Sequence, residues 1–207
     1  MNVISNILYW ISTGLLVPVI VLLIFFFARA LLMVGAYFGQ WSRARKGSAR
    51  LAVVVKELDK GDKGAAFAAL PAKPLIPAEA YARRIFEAAG SEPKLTLLLN
   101  DFELEAEREV ATSKTLTKMG PILGLMGTLI PMGPALVGLA QGDIASMAYN
   151  MQVAFATTVV GLTVSAIGFL TQQSLERRAR ADLARLEYIA DTLSSVAPAE
   201  TTKNSAL

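Results

Sequence analysis

The chain has 207 residues, 54% of them hydrophobic, a net charge of +3, and neither cysteine nor histidine. No disulfide, thiolate metal site or cysteine nucleophile is therefore possible, and the commonest general base, metal ligand and near-neutral switch are missing with the histidines. A mean hydropathy of +0.47 and long uncharged runs place the chain among integral membrane proteins. No phosphate loop, metal site or nucleic-acid surface is visible, so neither a cofactor, a metal nor a nucleic-acid partner is expected, and an enzyme is not.

Met1 to Ala28 carries no charged side chain, and the apolar run from Ile7 passes Arg29 and continues to Phe38. Ala28-Arg29-Ala30 superficially fits a small-x-small cleavage site. A signal peptide, however, wants a basic start and a short apolar core, and here the run has no Lys or Arg before it and resumes after the supposed cut. Residues 1–39 predict an uncleaved membrane helix from about Ile7 to about Phe38. It exceeds the roughly 20 residues of one crossing, so its surplus projects into the cytoplasm or lies tilted.

Residues 40–117 read as a small helical insert, soluble in character. Ser48 to Asp59 predicts a short helix bearing Leu51, Val54, Val55 and Leu58. Gly61-Asp62-Lys63-Gly64 ends it, and Ala65 to Leu70 forms a further turn. Pro71, Pro74 and Pro77 mark a loop. Pro77 opens a helix that Gly90 stops near Ala89, and Ser91 caps the next, with Glu92 and Pro93 in its first turn. That helix carries Leu95, Leu98, Leu99, Phe102 and Leu104. Its charged run from Glu103 to Glu109 reads as a solvated face or one rim of a cytoplasmic cavity. No proline or glycine interrupts Lys94 to Met119, which predicts one continuous helix entering the membrane at Lys118. The basic cluster Arg43 to Arg50 reads as a topology signal and a contact with lipid head groups.

Residues 118–175 predict a transmembrane hairpin. In the 57 residues from Met119 to Leu175 the one charged side chain is Asp143. The arms are Met119 to Ala140 and Ile144 to Leu175, joined at Gln141-Gly142-Asp143. Gly120, Gly124, Gly127, Pro131 and Pro134 on the first arm and Gly161 on the second read as packing or hinge positions, because small residues let helices approach closely in lipid and proline kinks a helix. The pairs Gly35–Gly39 and Gly138–Gly142 read the same way. Residues 176–196 continue the last helix as an amphipathic stripe of Leu183, Leu186, Ile189, Ala190 and Leu193, and 197–207 form a polar, disordered tail. Arg29, Arg43, Arg45, Lys46 and Arg50 precede the first acid, Glu57, and Arg177, Arg178, Arg180 and Arg185 follow the last apolar run. Positive flanks stay inside. The N-terminus and the 141–143 turn are thus expected outside, and the insert and C-terminus in the cytoplasm.

The crossings lack an ionisable group at mid-membrane depth, where proton relays and ion sites normally show one. What they offer is hydroxyls: Thr128 two turns into the second crossing, Thr157 and Thr158 about halfway along the third, and Ser165 on the face of Thr158 and Gly161. A pore-lining threonine can donate to a carboxylate, hold water or offer oxygen to a cation. A threonine in a membrane helix can equally bond back to its own i−4 carbonyl or bridge two helices. If protons pass, another chain must supply the carboxylate.

Gly124-Leu125-Met126-Gly127-Thr128 resembles the Gly-Leu-Leu-Gly-Thr motif in the second crossing of the MotA/TolQ/ExbB proton-channel family. Ala154-Phe155-Ala156-Thr157-Thr158-Val159-Val160-Gly161-Leu162 is similar to that family's third-crossing pattern. The three-crossing layout looks like that of TolQ and ExbB. The chain departs from them at Val153, where those proteins usually carry Glu, and it has neither the fourth crossing nor the larger cytoplasmic domain of flagellar MotA-type stators. The resemblance implies ion-pathway roles for Thr128 and Thr158. It also implies a pentamer of this chain around a dimer of single-crossing partners of the ExbD/TolR/MotB type, each bringing an Asp into the pore. The expectation is an all-α protein of the bacterial inner membrane with three transmembrane helices, two of them extended into the cytoplasm. It would conduct protons or sodium ions to drive a membrane motor. The alternative is a non-conducting structural scaffold.

Overall fold

The structure is a computed structural model that describes residues 2–195. Among the described residues there are six helices and no strand: α1 (Asn2–Gly14), α2 (Leu16–Asp59), α3 (Lys63–Ala68), α4 (Pro77–Glu87), α5 (Glu92–Ala140) and α6 (Ile144–Ser194). Three helices are long and apolar enough to cross a membrane, ending at Asp59, Ala140 and Ser194. At 44, 49 and 51 residues, α2, α5 and α6 each exceed by more than twofold the roughly 20 residues that a bilayer requires. The expected end of the last helix at Val196 and the tail 197–207 lie outside the described residues.

The first apolar segment departs from expectation at both ends. The single helix from Ile7 to Phe38 is divided at Leu15, because Pro18 has no N–H to give the Gly14 carbonyl one turn earlier. The interruption is slight: the Leu15 N–H still bonds the Ile11 carbonyl and the Val19 N–H the Leu15 carbonyl, both at 3.1 Å. The short helix expected at Ser48–Asp59 is instead the end of α2. Gly39 and Gly47 are the strongest breakers in between, and a glycine costs a helix interior only about 1 kcal/mol.

Local chemistry sets the other ends. Gly61 and Gly142 take positive φ of 83° and 73°, and each closes its helix in the same way. The Asp143 N–H reaches back to the Gly138 carbonyl (2.8 Å) and the Gly142 N–H to Leu139 (3.1 Å), which satisfies carbonyls that α5 leaves unpaired. Asp143, the lone charge in the hairpin, then accepts the Ser146 N–H at 3.0 Å and caps α6. Asp62 does the same for α3 through the Ala65 N–H, at 2.9 Å.

The chain divides into two compact units. One takes the residues up to Ala36 together with Ala111–Gln173, the other Tyr37–Val110 together with the residues from Ser174 on. The second unit has a core of Leu51, Val54 and Leu58 from α2, Tyr81 and Ile85 from α4, Leu95 and Phe102 from α5, and Leu186, Ile189 and Leu193 from α6. Those of α2, α5 and α6 are the apolar stripes read from sequence, save that Leu104 is 54% exposed; the contribution of α4 has no counterpart among them. Tyr188 ties α6 to α2 by donating to the Asp59 carboxylate.

Glu79 is the one charged side chain buried in this unit among the described residues. Its Oε2 accepts the Leu75 N–H at 2.5 Å, which pins the proline-rich loop to α4. Its Oε1 lies 3.8 Å from the Arg50 guanidinium, too far for a hydrogen bond, and has no hydrogen-bond partner among the described residues. Glu105 and Glu109 line a cavity of about 580 Å³ together with Arg43, Arg108, Arg178 and Asp182. The expected acidic rim is therefore present but balanced by arginines. Glu103 and Glu107 face solvent.

Candidate functional site

In the first unit, α5 and α6 meet along a seam of small residues. A methyl group built on Gly161 would lie 2.6 Å from the Gly120 carbonyl oxygen and 2.8 Å from the Gly124 Cα. One built on Gly168 would lie 2.7 Å from the Thr117 nitrogen. Real Cβ atoms do not approach backbone so closely, so these glycines exist to let two helix backbones touch. A methyl group on Gly120 would likewise lie 2.6 Å from the Gly161 carbonyl oxygen, one on Gly124 would be in ordinary contact with Gly161 at 3.5 Å, and one on Gly138 would lie 3.1 Å from the Asp143 carbonyl oxygen of the adjoining turn. Gly35 and Gly39, expected to pack too, have nothing within 4 Å among the described residues. Gly142 serves the turn rather than a contact.

Thr157 is buried at the middle of the seam. Its Oγ1 donates to the carbonyls of Val153 and Ala154, each at 3.0 Å, and its side chain fills the space opposite Gly127. A methyl group there would come within 2.5 Å of the Thr157 hydroxyl. Thr128 and Thr158 each follow one member of that contacting pair. On antiparallel helices they therefore stand at nearly one depth, offset by roughly 3 Å along the axis. Both are half-buried. The Thr128 hydroxyl donates to the Leu125 carbonyl at 2.7 Å and that of Thr158 to Ala154 at 2.9 Å. Their protons are thus engaged on their own helices while their lone pairs stay available.

Ser165 is placed differently. Its hydroxyl crosses the seam and donates to the Thr117 carbonyl at 3.0 Å. That carbonyl lost its helical donor because residue 121, one turn on, is proline. Ser165 thus replaces a missing backbone bond from the neighbouring helix. The sequence held the signal, a proline four residues past Thr117, but not the partner. Pro131 is buried and Pro134 half-buried within α5, which continues unbroken past both.

Two further polar contacts have no local signature in the sequence. The Ser113 hydroxyl, 1% exposed, donates to the Met33 sulfur at 3.4 Å, and Arg29 donates to the Thr112 hydroxyl at 3.3 Å. No group of three or more acidic side chains that could hold a metal ion occurs among the described residues. The seam itself is glycine, alanine and hydroxyl, and Asp143 at its far end is spent on a cap.

Comparison with curated proteins and with solved structures finds no match to either. A profile of the MotA/TolQ/ExbB proton channel family matches residues 83–188, a span that takes in all of α5 and most of α6. With both helices of the seam and just over half of its length inside that match, the chain belongs to the MotA/TolQ/ExbB proton channel family.

Proposed function

We propose that this integral membrane protein is the channel-forming subunit of an ion-motive-force-driven motor in the bacterial inner membrane. Thr128 and Thr158 flank the ion path, with Thr157 and Ser165 holding the helices that carry them. Five copies would surround a dimer of a single-crossing partner of the ExbD/TolR/MotB type, whose Asp completes the pathway. Family membership supports the channel. The observation that carries the rest is the pairing of two half-buried hydroxyls at one depth with the absence of any carboxylate beside them. A threonine whose proton is held by its own helix can accept from a protonated carboxyl or from water, or can lend a lone pair to a cation. When the partner carboxylate ionises, a rotation about χ1 turns the same hydroxyl into a donor. Both halves of a proton-transfer cycle are thus served by a group that never titrates.

The back-bonded hydroxyls and the dense seam also suit a non-conducting scaffold, and ion flux through the wild type and one variant separates the two. Thr158→Val keeps the volume and removes the hydroxyl. In proteoliposomes holding the complex with its partner, flux driven by a pH or sodium gradient should fall at least about a hundredfold, the lower end of what a lost proton-transfer group costs, with assembly unchanged. Undiminished flux in that variant would remove Thr158 from the ion path, whereas no gradient-driven flux in the wild-type complex would leave the scaffold as the function.

A further inference from the structure

Arg29 is the only charged residue among the first 42, and it sits on an apolar surface. Ile24, Phe25, Leu31 and Leu32 around it are 61%, 56%, 54% and 75% exposed. A guanidinium has five N–H donors. Here one bond is made, from Nη2 to the Thr112 hydroxyl at 3.3 Å, and among the described residues no carboxylate pairs with it. The Thr112 hydroxyl accepts that bond and among the described residues donates to nothing. The two groups open into a pocket of about 310 Å³ whose walls include Phe25, Phe26, Thr115 and Leu116 and no acidic residue.

Its depth is set by α5. Arg29 is level with Thr112, six residues before Lys118, where the apolar run of that helix begins. At 1.5 Å per residue this is roughly 9 Å to the charged side of the boundary, the level of lipid head groups rather than of acyl chains. Carried across to α2, that boundary falls level with about Leu23 and leaves Arg29 among the head groups. Phe25, one turn deeper, lies within roughly 3 Å of the start of the acyl region.

We infer that this pocket binds the phosphate of an anionic phospholipid, with Arg29 and Thr112 donating to its oxygens and Phe25 and Leu116 flanking the start of an acyl chain. The missing carboxylate gives the selectivity. A zwitterionic lipid brings an ammonium for which the pocket holds no partner, whereas a lipid of net negative charge supplies the counterion that Arg29 lacks. Thr115 spends its proton on the Ala111 carbonyl, at 3.0 Å. It therefore offers lone pairs to a hydroxyl-bearing head group. The inference rests on the membrane-spanning reading of the helices but not on ion conduction, so its failure would leave the proposed channel standing.

The test is native mass spectrometry of the full-length protein in detergent, titrated with phosphatidylglycerol or with phosphatidylcholine of the same chains. The wild type should retain phosphatidylglycerol in preference. Arg29→Gln should lower that retention about fivefold, the equivalent of one arginine at a lipid surface, and Thr112→Val should lower it by less. Lys63→Gln, which removes an exposed charge far along the chain from any apolar run, should change it less than about twofold, because the attraction falls off within a Debye length. Should Arg29→Gln fail to fold, Arg29→Lys serves, since it keeps the charge but loses the planar fork and should retain less lipid at an unchanged melting temperature. Equal retention of the two lipids, or of phosphatidylglycerol by wild type and Arg29→Gln, would overturn the assignment. So would displacement of the lipid by millimolar inorganic phosphate. Loss of oligomer mass in Arg29→Gln with lipid retained would overturn it as well, naming a carboxylate of another chain as the partner.

Discussion

At Gly161 the nearest atoms to an added methyl group are a carbonyl oxygen at 2.6 Å and a Cα at 2.8 Å, and neither can rotate away. Gly161→Ala should therefore destabilise the protein by about 1–3 kcal/mol, the usual cost of overpacking, seen as a lower melting temperature in detergent. Gly35→Ala meets nothing within 4 Å and, in the interior of α2, should instead stabilise the isolated chain by up to about 1 kcal/mol. A second prediction concerns Asp182. Burial raises its carboxyl above the ordinary 3.8, against the opposing pull of Arg185, of a hydrogen bond from Ser48 and of Arg178. A carboxyl raised on folding favours the protonated form. Its stabilisation is complete below 3.8 and is lost as pH climbs through the folded value. Asp182→Asn cannot titrate, so its melting temperature should fall less than that of wild type as pH rises from 3.8 toward neutrality. Parallel curves for the two proteins would contradict this.

At the level of helices, the bond from Ser165 to Thr117 makes a prediction of its own. Ser165→Ala strands the Thr117 carbonyl at the membrane boundary; a side-chain hydrogen bond between membrane helices is worth about 0.6 kcal/mol and at most about 1.7. Pro121→Ala restores the helical N–H that this carbonyl lacks. The double variant should then lose less than Ser165→Ala alone, a coupling that unfolding titrations can read. Purely additive losses would show that Ser165 does not stand in for the backbone. This bond also marks where sequence stops being informative. The three long helices were legible because length and the absence of charge suffice to define them, and Gly142-Asp143 because a glycine followed by a capping acid leaves a helix few alternatives. The merger of residues 48–59 into α2 was not, since a pair of glycines reads as punctuation when the packing partner of the helix is unknown. Nothing in the sequence around Glu79 marks it for burial. Its burial depends on Arg50 and on the Leu75 N–H, which only the fold brings to it. The depth match of Thr128 and Thr158 was foreseeable from antiparallel arms, but the contact between Gly127 and Thr157 that fixes it was not.

At the level of the whole molecule, a chain without cysteine lends itself to a topology test. A single cysteine at Gln141 should react with an impermeant maleimide in intact spheroplasts, and one at Lys60 only after the membrane is opened. The reverse pattern would invert the proposed orientation. Native mass of the complex co-purified with a single-crossing, Asp-bearing partner should give five copies with two of the partner, and any other ratio would revise the proposed assembly. The glycine seam bears on how such an assembly could work. Where backbone lies against backbone at Gly120, Gly124 and Gly161, no side chain can change rotamer to make room. A fraction of a turn of sliding or rolling between α5 and α6 is met by collision rather than by repacking. The hairpin must therefore travel as one stiff piece. Any displacement that accompanies ion passage then falls on its outer faces, where Leu125, Leu129, Phe155, Val159 and Leu162 are each more than half exposed and the leucines among them can yield by changing rotamer.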